Sequence, residues 1–311
     1  MKNDKQFMSN SQQLWGIDLG GTKTEGVIID AGQPGKALYR LRLPTERARG
    51  YEHILAQVRL LVEQLERASG LSRPDCIGIG TPGVIDPSTG ILKNSNTLCL
   101  NGQPVKDDLS TVLDVEVLTA NDANCFAFAE ATMGAGRDYK VVMGLILGTG
   151  VASGIVVSGE LIEGLHGIAG EWGHNTLCGE EALCYCGKKG CNEQVFSGPA
   201  LESFYHQLTD RRLSLSKIAQ LASLGEQAAV KTLERLQEKF SEAIAVPINI
   251  LDPEVIVIGG GVGNCDLLYT QATRDKVLRY VFNKELKTQF LKPALGDSAG
   301  VFGAAMLACK A

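Results

Sequence analysis

The chain has 311 residues, room for about two domains by length alone, with a net charge of −5 and 44% hydrophobic residues. The acidic balance and the lack of any basic run exclude a general nucleic-acid or anionic-membrane binder, and no apolar run approaches the roughly 18 residues of a membrane span. The opening MKNDKQFMSNSQQ lacks the apolar core of a signal peptide, and nine cysteines, an odd number, fit a reducing compartment, so a cytoplasmic protein is expected.

Residues 14–30, LWGIDLGGTKTEGVIID, read as strand, glycine turn, strand. Asp18 ends the first strand, and Thr22 and Lys23 open the second. Lacking side chains at Gly20 and Gly21, the turn lets backbone N–H groups approach a polyphosphate. The spacing is neither a Walker A loop nor a dinucleotide fingerprint, and alone it would suit an ordinary hairpin.

An amphipathic helix follows over Tyr51 to Gly70, with Ile54, Val58, Leu61 and Leu65 on one face and Gly70 as C-cap. CIGIG (76–80) reads as a buried strand, and TPGVIDPSTGILKNSN (81–96) as a loop of turn residues. There Asn94 and Asn96, with Asn101 beyond, are either turn residues or amides offered to sugar hydroxyls. A strand over Val115 to Ala120 leads through Asn121 and Asp122 into a helix ending at Met133. A carboxylate at that junction is either the helix N-cap or a general base.

The strand–glycine–strand pattern returns at 141–158, with Gly148, Thr149 and Gly150 at its turn. Two such hairpins suggest an internal duplication whose turns grip one phosphate tail. Beyond 197 the chain is mostly helical: Pro199 fits a first turn after Ser197, and a long helix over Glu226 to Ile250 should bend or break at Pro247. LDPEVIVIGGGV (251–262) gives a buried strand running into Gly259, Gly260 and Gly261, and the terminal GDSAGVFGAAMLACK offers a small-residue helix for close packing.

The most informative stretch is His166 to Glu193. Cys184, Cys186 and Cys191, with His174 upstream, form a complete Cys3His shell for structural zinc, and Gly187 and Gly190 permit the tight turns between ligands. A disulfide is the alternative, and Cys178 is a rival ligand. Glu171 and Glu193 bracket the knot.

Together DLGGTK (18–23), GTPGVID (80–86), NDAN (121–124), LGTG (147–150), GEWGH (170–174), CYCGKKGC (184–191) and LDPEVIVIGGGV (251–262) resemble the ROK family of sugar kinases over about residues 14–308. LPTER (43–47), LNGQP (100–104), GEWGHN and CYCGK look most like its bacterial fructokinase (mannofructokinase) branch. The resemblance implies an α/β, actin-like (ribonuclease H-like) fold of two domains around a cleft. We expect a small domain over 1–121 with the C-terminal helix 298–311, and a large domain over 122–297.

It further implies transfer of the γ-phosphate of ATP to a hexose hydroxyl at C6, with fructose the first choice and glucose or an N-acetylhexosamine the alternatives. Asp122 would be the base. Gly83, Asn96, Asn121, Glu171, His174 and Glu193 would bind the sugar. Asp18, Gly20, Gly21, Thr22, Lys23, Gly148, Thr149, Gly150, Gly260 and Gly261 would hold Mg-ATP, and His174, Cys184, Cys186 and Cys191 zinc. A homodimer is expected by the same resemblance. A sugar-responsive regulator of this family would carry an extra helix-turn-helix, for which a first strand near Leu14 leaves no room. One departure stands out: Cys99 precedes LNGQP where close relatives carry tryptophan, altering a wall of the sugar pocket.

Overall fold

The computed structural model describes residues 13–33, 35–296 and 299–310. The chain divides into two compact units. The first takes residues 1–134, 163–169 and 295–311, and the second residues 135–162 and 170–294. Residues 1–12, 34, 298 and 311 of the expected first domain lie outside the described residues.

Unit 1 opens on the glycine hairpin, β1 (Gln13–Leu19) against β2 (Lys23–Asp30), with β3 (Ala37–Pro44) beyond. Helix α1 (Tyr51–Ser69) buries the Ile54, Val58, Leu61 and Leu65 face, and Gly70 caps it in a left-handed conformation. Then come β4 (Cys76–Thr81), a small hairpin of β5 (Val84–Ile85) and β6 (Leu92–Lys93), α2 (Val105–Leu113), β7 (Glu116–Asn121) and α3 (Asp122–Thr132). The sheet order is β3-β2-β1-β4-β7. Three antiparallel strands are continued by parallel ones, so β1, β4 and β7 point their carboxyl ends the same way.

The C-terminal helix (Ala299–Leu307) belongs to this unit and packs on α3, β1 and β4. Its run of small residues explains the approach. A methyl on Gly303 would collide with the backbone carbonyl of Cys125, and one on Gly78 with that of Ala304. The same contact brings α3 into unit 1, so the division falls after Gly134 and not at the expected break before Asp122.

Unit 2 repeats the plan. β8 (Val141–Leu147) and β9 (Val151–Val157) form the second glycine hairpin, with β10 (Glu160–Leu161) beyond. Then follow α4 (Glu193–Phe196), α5 (Gly198–Thr209), α6 (Leu215–Ser223), α7 (Gln227–Leu251), β11 (Val255–Gly259), α8 (Gly260–Gly263), α9 (Gln271–Leu278) and β12 (Gln289–Leu291). The order β10-β9-β8-β11-β12 again joins an antiparallel meander to parallel strands. This matching topology is what a duplicated hairpin would produce.

Two local expectations resolve in detail. Ser197 caps α5 by accepting from the Ala200 amide, with Pro199 in the first turn. Helix α7 runs through Pro247 to Leu251 instead of breaking. Proline removes the N–H that would bond the Ala243 carbonyl, and the Trp172 indole donates to that carbonyl instead, at 3.2 Å. Trp172 also stacks on Phe196, ring centroids 5.5 Å apart, and meets Phe240 edge-on.

Candidate functional site

In unit 1 the residues expected to act lie at the glycine turn and the β7–α3 junction. Asp18 pairs in register with Gly80, and Gly80 with Ala120, at the carboxyl ends of β1, β4 and β7. Gly80 carries no side chain between them, and a methyl there would lie 3.7 Å from an Asp18 carboxylate oxygen and 3.3 Å from the Cys125 sulfur. Burial, then repulsion from Asp122 and Glu25, raise the Asp18 pKa from 3.8 to about 6 against the pull of Lys23 and Arg42.

The N-cap of α3 is Asn121, whose side-chain oxygen accepts from the Asn124 amide at 2.7 Å. Asp122 is therefore released from the capping role that its position allowed. Among the described residues it accepts from the neighbouring Ala123 amide, at 2.8 Å, and its own. Its side chain keeps accessible surface, yet desolvation by the surrounding protein outweighs those amides and raises its pKa.

The turn itself is braced from outside. Gly20 donates to the Lys23 carbonyl at 3.1 Å. Thr45, buried, donates its hydroxyl to the Gly20 carbonyl at 2.6 Å and its amide to the Thr22 carbonyl at 2.9 Å. Thr22 and Lys23 are exposed. In the β6 loop, Asn101 does not face outward as a sugar amide. It clamps Ser95, accepting from its amide at 2.8 Å and donating to its carbonyl at 2.9 Å. Asn94 is a left-handed turn residue, whereas Asn96 stays exposed. Gly83 is buried beneath that loop, against Lys93 and Ser95.

In unit 2 the donor atoms of His174, Cys184, Cys186 and Cys191 all lie within 4.8 Å of one another. The Cys186 and Cys191 sulfurs are 3.6 Å apart, and Cys184 sulfur lies 3.7 Å from His174 Nδ1. Four ligands about 2.3 Å from a tetrahedral zinc would be spaced by about 3.8 Å, so the donor set fits that ion. A disulfide needs about 2.05 Å, and all nine cysteines are free. Cys178 is exposed and outside the cluster. Gly187 and Gly190 take φ of 85° and 71°, the left-handed turns needed to bring the thiols back. Although desolvation opposes it, the Lys188 amide and the neighbouring thiols hold Cys186 below its usual pKa.

The knot organises both flanking acids. Glu193, buried, accepts from the Val151 amide at 3.1 Å and lies 4.0 Å from the Cys184 sulfur, which ties the knot to the Gly148–Gly150 turn. His174 turns Nδ1 to the thiols and sets Nε2 3.1 Å from the Tyr185 hydroxyl. Burial, then Glu193, Cys184 and Glu171, push the Tyr185 pKa up to about 12. Tyr185 thus joins Glu171, His174 and Glu193. Sequence reasoning passed it over, its one signal being its place between two ligand cysteines.

The same unit contains a cavity of about 1210 Å³, lined by Gly148, Thr149, Ser214, Leu215, Gly261 and Asn264 among others. Two glycine sites predicted to hold the nucleotide meet there, and Gly260 turns the chain from β11 into α8 with φ 82°. The Ser214–Leu215 wall carries no motif and was invisible in the sequence.

Residues 14–311 match the sequence profile of the ROK family. The chain belongs to the ROK family. It is 34% identical over 304 residues to the N-acetyl-D-glucosamine kinase of Yersinia pseudotuberculosis serotype O:1b (strain IP 31758), covering 94% of this chain and 98% of that protein. Among solved structures, the ROK hexokinase from Thermus thermophilus superposes with a TM-score of 0.84 at 30% identity, covering 96% of this chain and 99% of that one. The ROK family glucokinase from Streptomyces griseus, solved with glucose and AMPPNP, gives 0.80 at 26% identity, covering 96% and 100%. The expected actin-like α/β class therefore holds for this ROK chain. Among the described residues no helix is long and apolar enough to cross a membrane.

Proposed function

We propose that this ROK protein, an ATP-dependent sugar kinase, acts on an N-acetylhexosamine and transfers the γ-phosphoryl of ATP to its C6 hydroxyl. The observation that carries the chemistry is Asp122, a carboxylate excused from helix capping, raised in pKa and electrostatically coupled to Asp18. The sugar class rests on the end-to-end similarity to N-acetyl-D-glucosamine kinase. That similarity favours the hexosamine over fructose, to which LNGQP and CYCGK pointed.

Asp122 takes the hydroxyl proton as the sugar oxygen attacks the γ-phosphorus, a step that depends on positioning and charge more than on covalent chemistry. By the family resemblance, Asp18, Gly20, Gly21, Thr22 and Lys23, together with Gly148, Thr149, Gly150, Gly260 and Gly261, hold the nucleotide's phosphates. Mg2+, when bound, neutralises phosphate charge, and Asp18 is the carboxylate suited to hold it directly or through water. Asn96, Asn121, Gly83, Glu171, His174 and Glu193 form the sugar's set. The Cys3His cluster is suited to a structural zinc that fixes His174 by Nδ1, with Nε2 turned to the Tyr185 hydroxyl.

The test is a panel of N-acetylglucosamine, N-acetylmannosamine, glucose, mannose and fructose with ATP, read as coupled ADP release. The highest kcat/KM is expected for an N-acetylhexosamine, by tenfold or so. A faster fructose or glucose would overturn the substrate class, and no sugar-dependent ADP release would overturn the kinase.

A further inference from the structure

We propose that Arg47 is a further catalytic residue, whose guanidinium binds the phosphoryl group during transfer and on the product sugar phosphate. The proposal rests on the kinase reading above; Arg47 closes the LPTER motif (43–47), which assigned it no role in the site.

Four observations converge on it. Thr45 is bonded to the Gly20 and Thr22 carbonyls, which sets the following residues against the glycine turn. Glu46 then adopts a left-handed backbone, φ 51°, uncommon for a residue with a side chain. That bend sends the Glu46 carboxylate to Arg49 at 3.1 Å and to His53 at 2.7 Å, so it does not neutralise its neighbour. Arg47 goes the other way. The position a methyl on Gly21 would occupy is 3.3 Å from Arg47 Nη1, 3.0 Å from the Thr97 hydroxyl and 3.7 Å from the Asn96 side-chain oxygen.

Among the described residues, the Arg47 guanidinium has no hydrogen bond or ion pair, and the Gly21 and Thr22 amides donate to no other backbone group. An unpaired arginine, a buried threonine hydroxyl held, among the described residues, only by the Asn96 side-chain oxygen at 3.4 Å, and two spare amides gather around a bare glycine, a donor set suited to an anion. Asn96, from the expected sugar set, stands at its edge. A guanidinium presents a planar fork that matches phosphate oxygens, and it gains most where charge is shared among them. In the reaction the bond from γ-phosphorus to the ADP oxygen breaks as the bond to the sugar oxygen forms, and the proton passes to Asp122. Arg47 exchanges no atom; it holds the charge of the moving group.

The experiment compares wild type, Arg47→Ala and Arg47→Lys. Turnover is read by ADP release, and binding of N-acetyl-D-glucosamine and of its 6-phosphate by calorimetry without nucleotide. Arg47 is exposed, so truncation should leave the melting temperature unchanged. Arg47→Ala should lose about 10²-fold in kcat, with sugar affinity kept and affinity for the 6-phosphate down about tenfold or more. Arg47→Lys should fall between, keeping the charge without the fork. Equal affinity of wild type and Arg47→Ala for the 6-phosphate overturns the proposal whatever the turnover. A wild type that turns over no sugar sinks the kinase reading instead, since the 6-phosphate comparison is read separately.

Discussion

Replacing Asp18 by asparagine should stabilise unit 1 while impairing catalysis. The carboxylate is pushed from 3.8 to about 6, chiefly by burial and next by Asp122. At about 1.36 kcal/mol per pKa unit, its ionised form costs the folded protein roughly 3 kcal/mol at pH 7.5. The native state holds the proton more tightly than the unfolded chain. Stability is therefore fully present below the unfolded pKa and falls as pH climbs through about 4 to 6. At pH 4.5 the remaining cost is about 1 kcal/mol. Asp18→Asn removes it, so without nucleotide or divalent metal its melting midpoint should rise by about 6–12 °C at pH 7.5 and by only a third as much at pH 4.5. The assay is calorimetry on wild type and variant in chelator at both pH values. An unchanged or lower midpoint at pH 7.5, or an equal gain at both, would refute the electrostatic argument. Asp122→Asn should raise the midpoint too, because it removes the repulsion on Asp18 and a desolvated charge of its own.

Asp122→Asn should also lower kcat by about 10²–10⁴-fold in the ADP-release assay with sugar binding retained; near-normal turnover would remove Asp122 as the base. Protein purified without chelator should contain about one zinc per chain by elemental analysis. Cys186→Ser, at an exposed ligand position, should lose the metal and lower the melting midpoint; metal-free protein with paired cysteines would contradict the knot. Gly303→Ala should cost about 1–3 kcal/mol or more in urea denaturation, because its methyl meets the Cys125 carbonyl. Gly300→Ala, whose methyl would rest 3.7 Å from Asp18, should be close to neutral, and equal effects would show that the C-terminal helix does not pack as closely as described.

Much of this protein is local and was legible in the residue order. Both glycine hairpins, the capped helix α1 and the buried strand before Gly259 follow from periodicity and turn chemistry. The Cys3His set needed only spacing, because its cysteines are neighbours in the chain and glycines supply the turns. What the folded structure decided are pairings that the residue order left open, some local and some between distant segments. Two adjacent residues could cap α3, and the folded chain gives the cap to Asn121. Helix α7 was expected to bend or break at Pro247, yet it continues, and an indole from the knot region satisfies the freed carbonyl. Asn101 braces a loop it only seemed free to leave, and Arg47 reaches Gly21 because Thr45 and a left-handed Glu46 aim it there. Spacing along a chain determines backbone habit within a turn or two. Which polar group answers which, across the twenty to seventy residues that separate Thr45 from Gly20 and Trp172 from Ala243, is set by packing.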